Sequence, residues 1–301
     1  MSAARRFGPG FAMYDQDRKE QMVRRTIVLT LMVATALLFV ASCKSNADKD
    51  KAALKALVES DTTHFPAGTK GDSTEGSLAD DTTIAFWWRG PQTHDPAPGL
   101  EVYVSGDSAW VAWSQHNYGD LFIWAKTSET TAVRWTKNLV EASRLHAVFT
   151  RGGRVSDTDR GWRLKKITLA VGQSESTHTV TIDSLRIQSS LRDTLIKDPL
   201  NTFYSLDSLV TFTPAEQLTL TLYTNADGGQ AFLHAFWGLL LVRIPFQSQG
   251  GGVFTGTWNA QVIPGFRFAI FDLLGSGTIQ DPTTRYNFDG WLLPYMIKSA
   301  D

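Results

Sequence analysis

Apolar and polar residues alternate with more than one period along this chain of 301 residues. Leu218, Leu220 and Leu222 are interleaved with Thr219, Thr221 and Tyr223, the two-residue period of a strand with one buried face. Aromatic and β-branched runs of the same kind recur at 84–88, 100–104, 109–115, 121–126, 132–138, 145–151 and 162–171, and again at 178–188, 208–212, 217–225, 230–237, 239–247, 253–258, 265–274 and 291–297. Turn signals separate them: Ser105-Gly106-Asp107, Asn117-Tyr118-Gly119-Asp120, Arg151-Gly152-Gly153 and Asn225-Ala226-Asp227-Gly228-Gly229. Spacers this short predict antiparallel pairing, because parallel pairs require long crossovers. A helical period appears at Ala53, Leu54, Leu57 and Val58, with Lys51, Lys55 and Glu59 on the opposite side and Asn46 or Asp48 as the expected N-cap. Residues 66–81, rich in Gly, Ser, Thr and Asp, read as a long exposed loop.

Another run has no period at all. Thr26 to Ser42 carries no charge, follows Arg24-Arg25, and ends at Cys43, the single cysteine of the chain. A basic segment, an apolar segment and small residues form the plan of an export signal, and 17 uncharged residues fall short of the roughly 20 that span a bilayer as a helix. Val40-Ala41-Ser42-Cys43 resembles the lipobox of bacterial lipoproteins. The resemblance implies cleavage after Ser42, diacylation of Cys43, and attachment to a membrane through that lipid. A start at Met22 gives a signal peptide over 22–42 and leaves 1–21 as a mis-assigned extension. Lys44 stands where an aspartate would favour inner-membrane retention, so a cell envelope location with outer membrane over inner is expected.

Residues 1–43 hold six of the 29 Lys and Arg and three of the 30 Asp and Glu, so the remainder carries a net charge of −4. That balance argues against a nucleic-acid partner. Without a further cysteine the chain after Cys43 has no disulfide and no thiolate metal site, and its stability rests on core burial.

The expected architecture is mostly β. Residues 43–171 read as an α+β domain, one helix followed by a curved antiparallel sheet, and resemble the NTF2-like cone, whose closing strand often reads like Gly161-Trp162-Arg163-Leu164. Residues 172–177 are small and polar and read as a linker. Residues 178–301 resemble an immunoglobulin-like β-sandwich, with Trp258 or Trp237 as core tryptophan and Tyr286 as corner tyrosine.

Candidate chemistry is sparse. Six histidines show no zinc spacing, Gly106-Asp107-Ser108 reads as a hairpin turn rather than a nucleophile, and Asp157, Asp159 and Gly161 lack the glutamate that would complete a calcium shell. No catalytic residue, metal or cofactor is assigned. Were the interior of the cone a pocket, His116, Asp120 and His146 would be its ionisable residues. Ten tryptophans stand out, and Trp87, Trp88, Trp110 and Trp113 are candidates for binding a glycan or protein ligand. Trp110 and Trp113 have opposite parity on one strand, so one of them should face away from the core. The leading reading is a lipid-anchored, non-catalytic binding or spacer module; the alternatives are a ligand-binding or catalytic cone and a glycan-binding protein using exposed tryptophans.

Overall fold

A computed structural model describes residues 45–66, 84–126, 131–237 and 240–298. The chain divides into two compact units, 1–50 and 51–301. In the first, the described residues open helix α1 (Asn46–Ser60), whose N-cap is Ser45 rather than Asn46 or Asp48. Ser45 Oγ accepts from Asp48 N at 3.1 Å and Asp48 Oδ2 accepts from Ser45 N at 3.2 Å, a reciprocal capping box.

The second unit is mostly β. Its strands are β1 (Ile84–Arg89), β2 (Thr93–His94), β3 (Gly99–Ser105), β4 (Ser108–Lys126), β5 (Ala132–Arg151), β6 (Trp162–Ile167), β7 (Ala170–Ser174), β8 (Ile182–Ser189) and β9 (Arg192–Ile196). They continue as β10 (Tyr204–Ser205), β11 (Val210–Phe212), β12 (Gln217–Thr224), β13 (Gln230–Trp237), β14 (Leu240–Pro245), β15 (Gln247–Gly250), β16 (Val253–Asn259), β17 (Gly265–Leu274) and, after the short helix α2 (Ser276–Gln280), β18 (Phe288–Ile297). One sheet runs β1-β4-β5-β7-β18-β17-β13-β14; a second runs β15-β16-β12-β8-β9. Among the described residues all strand pairs are antiparallel except β11 with β18.

The core of the first sheet is the β4–β5 hairpin, paired from Ser108↔Thr150 to Lys126↔Ala132. The two strands expected on each side of it are single strands of 19 and 20 residues. Asn117-Tyr118-Gly119-Asp120 is not a turn, because the inward alternation passes through it. Gln115 and Asn117 take core positions and satisfy their amides, Gln115 Nε2 donating to Asp95 O at 2.9 Å and Asn117 Nδ2 to Ser143 Oγ at 3.2 Å. Gly119 lets Pro91 and Gln92 pack closely there, since a Cβ would meet Pro91 O and Gln92 Cγ at 3.3 Å.

Residues 172–177 are not a linker between separate sheets. Gly172, Gln173 and Ser174 complete β7, which is hydrogen-bonded to β5 on one side and to β18 on the other. Small, polar residues suit this position because Gly172 lies against Phe288, while Ser174 Oγ donates to Phe288 O and accepts from Phe288 N. The first sheet thus joins strands from both halves of the chain.

Three cores follow. Leu54 and Val58 of α1 pack with Val111, Trp113, Leu145, Phe149 and Trp162 on one face of the first sheet. Leu185, Leu220, Phe254 and Trp258 of the second sheet face Leu233, Phe271, Trp291 and Tyr295 of the first, a sandwich-like pair of layers. Trp258 is buried in this core, edge-on to Phe212 and Tyr295 at 5.6 and 5.3 Å; the Trp237 side chain lies outside the described residues. The turn at Asn225–Gly229 joins β12 to β13 across the two layers, because these strands belong to different sheets. Asn225 fixes it by accepting from Thr181 N at 2.7 Å and donating to Thr179 O at 3.0 Å. The third core lies where the first sheet curls its end strands together. Trp87 of β1 meets Phe232 of β13 edge-on at 5.2 Å, and Arg243 of β14 donates to Trp87 O at 2.9 Å.

Candidate functional site

Cys43 and the preceding Val40, Ala41 and Ser42 lie outside the described residues. The four candidate tryptophans do not form one surface. Trp87 is fully buried with the Arg243 guanidinium 3.7 Å from its ring centroid, and Trp113 is buried beside α1. Trp88 and Trp110 share the outer face of the first sheet, but Trp88 is in register with Phe122, twelve residues along β4 from Trp110 and so roughly 40 Å away along the strand.

His116, Asp120 and His146 also face outward, which corrects their expected place in the interior of the cone. Inward positions of β4 and β5 are the odd ones, Val111, Trp113, Leu121, Leu145 and Ala147 among them, and these three residues are even. His146 Nδ1 lies 2.8 Å from Leu200 O and its ring packs on Trp110 at 4.9 Å. His116 bridges two carboxylates, Nδ1 to Asp95 Oδ2 at 2.8 Å and Nε2 to Glu175 Oε1 at 3.0 Å, and its hydrogen bond is the main reason the Asp95 pKa is lowered. The concave side is apolar instead: the hollow beside Pro66 is lined by Trp113, Ala170, Ile270 and Leu292.

A different set of aromatics comes together on the outer face. Phe86 and Trp88 of β1 stack at 5.3 Å, Phe86 on Trp124 at 5.4 Å, and Trp88 on Phe122 at 5.0 Å. All four rings are half-buried, so one side of the strip meets solvent. Arg134 of β5 lies over it, 4.8 Å from the Phe122 centroid and 6.0 Å from that of Trp88. Cross-strand register creates this strip: Phe86↔Trp124 and Trp88↔Phe122 are directly paired, and Trp124↔Arg134 follows on the other side of β4.

The densest ionisable cluster is inside the third core. Arg89 Nη1 donates to Asp272 Oδ2 at 2.5 Å, and its Nε and Nη2 donate to Tyr286 Oη at 3.3 and 3.1 Å. Tyr286 Oη donates to Glu141 Oε1 at 2.6 Å, and His234 Nε2 lies 2.9 Å from Asp272 Oδ2. Tyr286 is therefore no backbone corner but the centre of an ion network linking β1, β5, β13 and β17. Burial alone would raise the Asp272 pKa; the charges of Arg89 and His234 outweigh it and hold the carboxyl well below the usual range. Burial, reinforced by Glu141 and Asp272, pushes the Tyr286 hydroxyl well up despite Arg89. The side chains of Arg89, Glu141, Asp272 and His234 are at most 3% exposed and Tyr286 is 1% exposed, so none of them reaches a solute. The signal for this cluster was parity: Arg89 shares that of Trp87, Glu141 that of Leu139, and His234 that of Phe232.

A second buried cation stands apart. Lys137 Nζ donates to Gly277 O, Asp281 O and Thr284 Oγ1 at 2.9, 2.6 and 2.9 Å, tying β5 to the α2 segment. Burial lowers its pKa to about 8, against the attraction of Asp281. Among the described residues, no group of three or more His, Cys, Asp or Glu is placed to hold a metal ion, and no helix is long and apolar enough to cross a membrane.

No described protein family and no curated protein matches this chain. Among solved structures, a pullulanase from Bacillus acidopullulyticus aligns at 8% identity over 72% of this chain and 33% of its own length, with a TM-score of 0.17. A likeness that low carries no argument.

Proposed function

We propose that this chain is a non-catalytic cell-envelope protein, anchored through a lipid on Cys43, that binds a glycan on the aromatic strip of Phe86, Trp88, Phe122 and Trp124. The observation that supports it is a contrast in access. The densest ionisable cluster, Arg89, Glu141, His234, Asp272 and Tyr286, is sealed in the third core, whereas the stacked rings are half-exposed. The parts of the apolar rings left uncovered by their mutual stacking pack on the C–H groups of a sugar, and Arg134, over Phe122 and Trp88, offers donors to its hydroxyls. The same reading takes α1 with the curled sheet up to 171 as an NTF2-like cone that has lost its pocket, and the two facing layers after it as an immunoglobulin-like sandwich. The anchor rests on the lipobox-like Val40-Ala41-Ser42-Cys43, and the envelope assignment, with outer membrane favoured, rests on it in turn.

Affinity electrophoresis of the full chain through gels containing soluble polysaccharides tests the binding. Retardation by at least one of them, abolished in Trp88→Ala, is expected; equal mobility of both proteins in every gel would remove the glycan reading. Fatty-acid labelling tests the anchor separately, and labelling that persists in Cys43→Ala would end it.

A further inference from the structure

A second recess lies away from the aromatic strip, among the β7–β8, β12–β13, β17–α2 and α2–β18 connections, with a volume of about 370 Å³. Nine of its thirteen lining residues are polar and none is aromatic. Its walls are prearranged. Asn287 Nδ2 donates to Thr179 Oγ1 at 2.7 Å, Asn287 Oδ1 accepts from Thr179 N at 3.1 Å, and Asn225 locks the facing connection to Thr179 O. From beneath, the Lys137 ammonium fixes Gly277 and Thr284 of the rim. Three exposed lining groups make no hydrogen bond or ion pair among the described residues: the Arg285 guanidinium, the Asp227 carboxylate and the Ser276 hydroxyl.

We propose that this cleft is a binding site for a neutral, hydroxyl-rich ligand, a saccharide unit, with Arg285, Asp227 and Ser276 as the groups that contact it and Lys137 as the residue that positions the rim. The chemistry follows from the lining. One cation and one anion cancel, which disfavours a ligand carrying net charge of either sign, and a lining with no aromatic residue, in which Val180 and Ala226 supply the aliphatic surface, disfavours an apolar one. A planar guanidinium and a planar carboxylate each engage two neighbouring hydroxyls, and the serine both donates and accepts. Rigid walls lower the entropy lost on binding.

The site does not depend on the aromatic strip, and the test separates the two. Saturation-transfer NMR on the full chain uses glucose, galactose and N-acetylglucosamine as probes, with inorganic phosphate as competitor. Transfer to at least one sugar is expected, with affinity reduced at least about tenfold in Asp227→Ala/Arg285→Ala and unchanged in Trp88→Ala. Both changed side chains are on the surface, so the double variant retains its fold, checked by its thermal midpoint. Transfer to none of the three sugars, undiminished binding in the double variant, or displacement of the sugar by phosphate would each overturn the proposal. Loss of binding in Trp88→Ala alone would assign the sugar to the strip and overturn it as well.

Discussion

Arg89→Met removes the charge at the centre of the third core and keeps most of the aliphatic bulk. Asp272 then loses its 2.5 Å partner and keeps His234, Glu141 loses the cation 3.6 Å away and keeps the Tyr286 hydroxyl, and the Tyr286 oxygen loses its two guanidinium donors, while all remain buried. Breaking a buried ion pair on one side costs about 3–5 kcal/mol, a large share of the roughly 5–15 kcal/mol that stabilises a folded domain. At about 2–4 °C per kcal/mol for a unit of this size, the midpoint should fall by about 6–20 °C. The low pKa of Asp272 sets the pH dependence. In the parent its contribution is complete above the ordinary value of 3.8 and is lost as pH falls through the lower folded value; in Arg89→Met burial without the guanidinium favours the protonated carboxyl, so the penalty should be largest at neutral pH and smaller near pH 4. Urea unfolding of parent and variant at neutral pH and near pH 4 measures both effects. Adding Asp272→Asn and Glu141→Gln to Arg89→Met should restore more than half of the loss, because the uncompensated charges go with them. An Arg89→Met protein within about 1 kcal/mol of the parent at neutral pH would refute the reasoning.

Asp289 shows the opposite sign. Burial raises its folded pKa to about 6 from 3.8, so its ionisation is a cost that appears as pH rises through about 6; Asp289→Asn, able to keep the bond from Ile182 N, should stabilise by up to about 3 kcal/mol at pH 8 and by little near pH 4, read by thermal unfolding at the two pH values. Trp113→Ala should cost about 3–5 kcal/mol in the core beside α1, whereas Trp110→Ala, at a 36% exposed position, should cost no more than about 1, as denaturant midpoints would show. Lys137→Met should speed amide hydrogen exchange across 276–284 while the β12 amides keep their protection, since Lys137 is the cation that holds that segment.

Much of the β content could be read from the chain because local pattern and tertiary role agree. Leu218, Leu220 and Leu222 are buried as their alternation demands, and Ser105-Gly106-Asp107 turns β3 into β4 with Gly106 at φ +59°. Misreadings fall where polar residues occupy inward positions. Asn117 to Asp120 look like a turn after Gln115 until the Gln115 and Asn117 amides find Asp95 O and Ser143 Oγ, partners 20 and 26 residues distant. Gly172 to Ser174 look like a linker until Phe288, over a hundred residues later, packs on them. The ion network is hidden for the same reason: its members span 89 to 286, and parity marks Arg89, Glu141 and His234 as inward without saying which partners neutralise them. The aromatic strip was half legible. Trp88 was in view, but its neighbours Phe122 and Trp124 are joined to it by the register of β1 on β4, which no local pattern encodes.

The central claim is that the outer rings bind glycan and the buried ionisable cluster does not. Its most direct measurement is a glycan array probed with three proteins that all carry Asp227→Ala/Arg285→Ala, so that the polar cleft is silent: the otherwise unchanged parent, Trp88→Ala/Trp124→Ala, and Asp272→Asn. Binding by the parent to a defined group of glycans, lost in the tryptophan pair and kept in Asp272→Asn at a temperature where all three are folded, is the predicted result. Binding lost in Asp272→Asn and kept in the tryptophan pair, or a chemically altered glycan recovered from the parent alone, would contradict it.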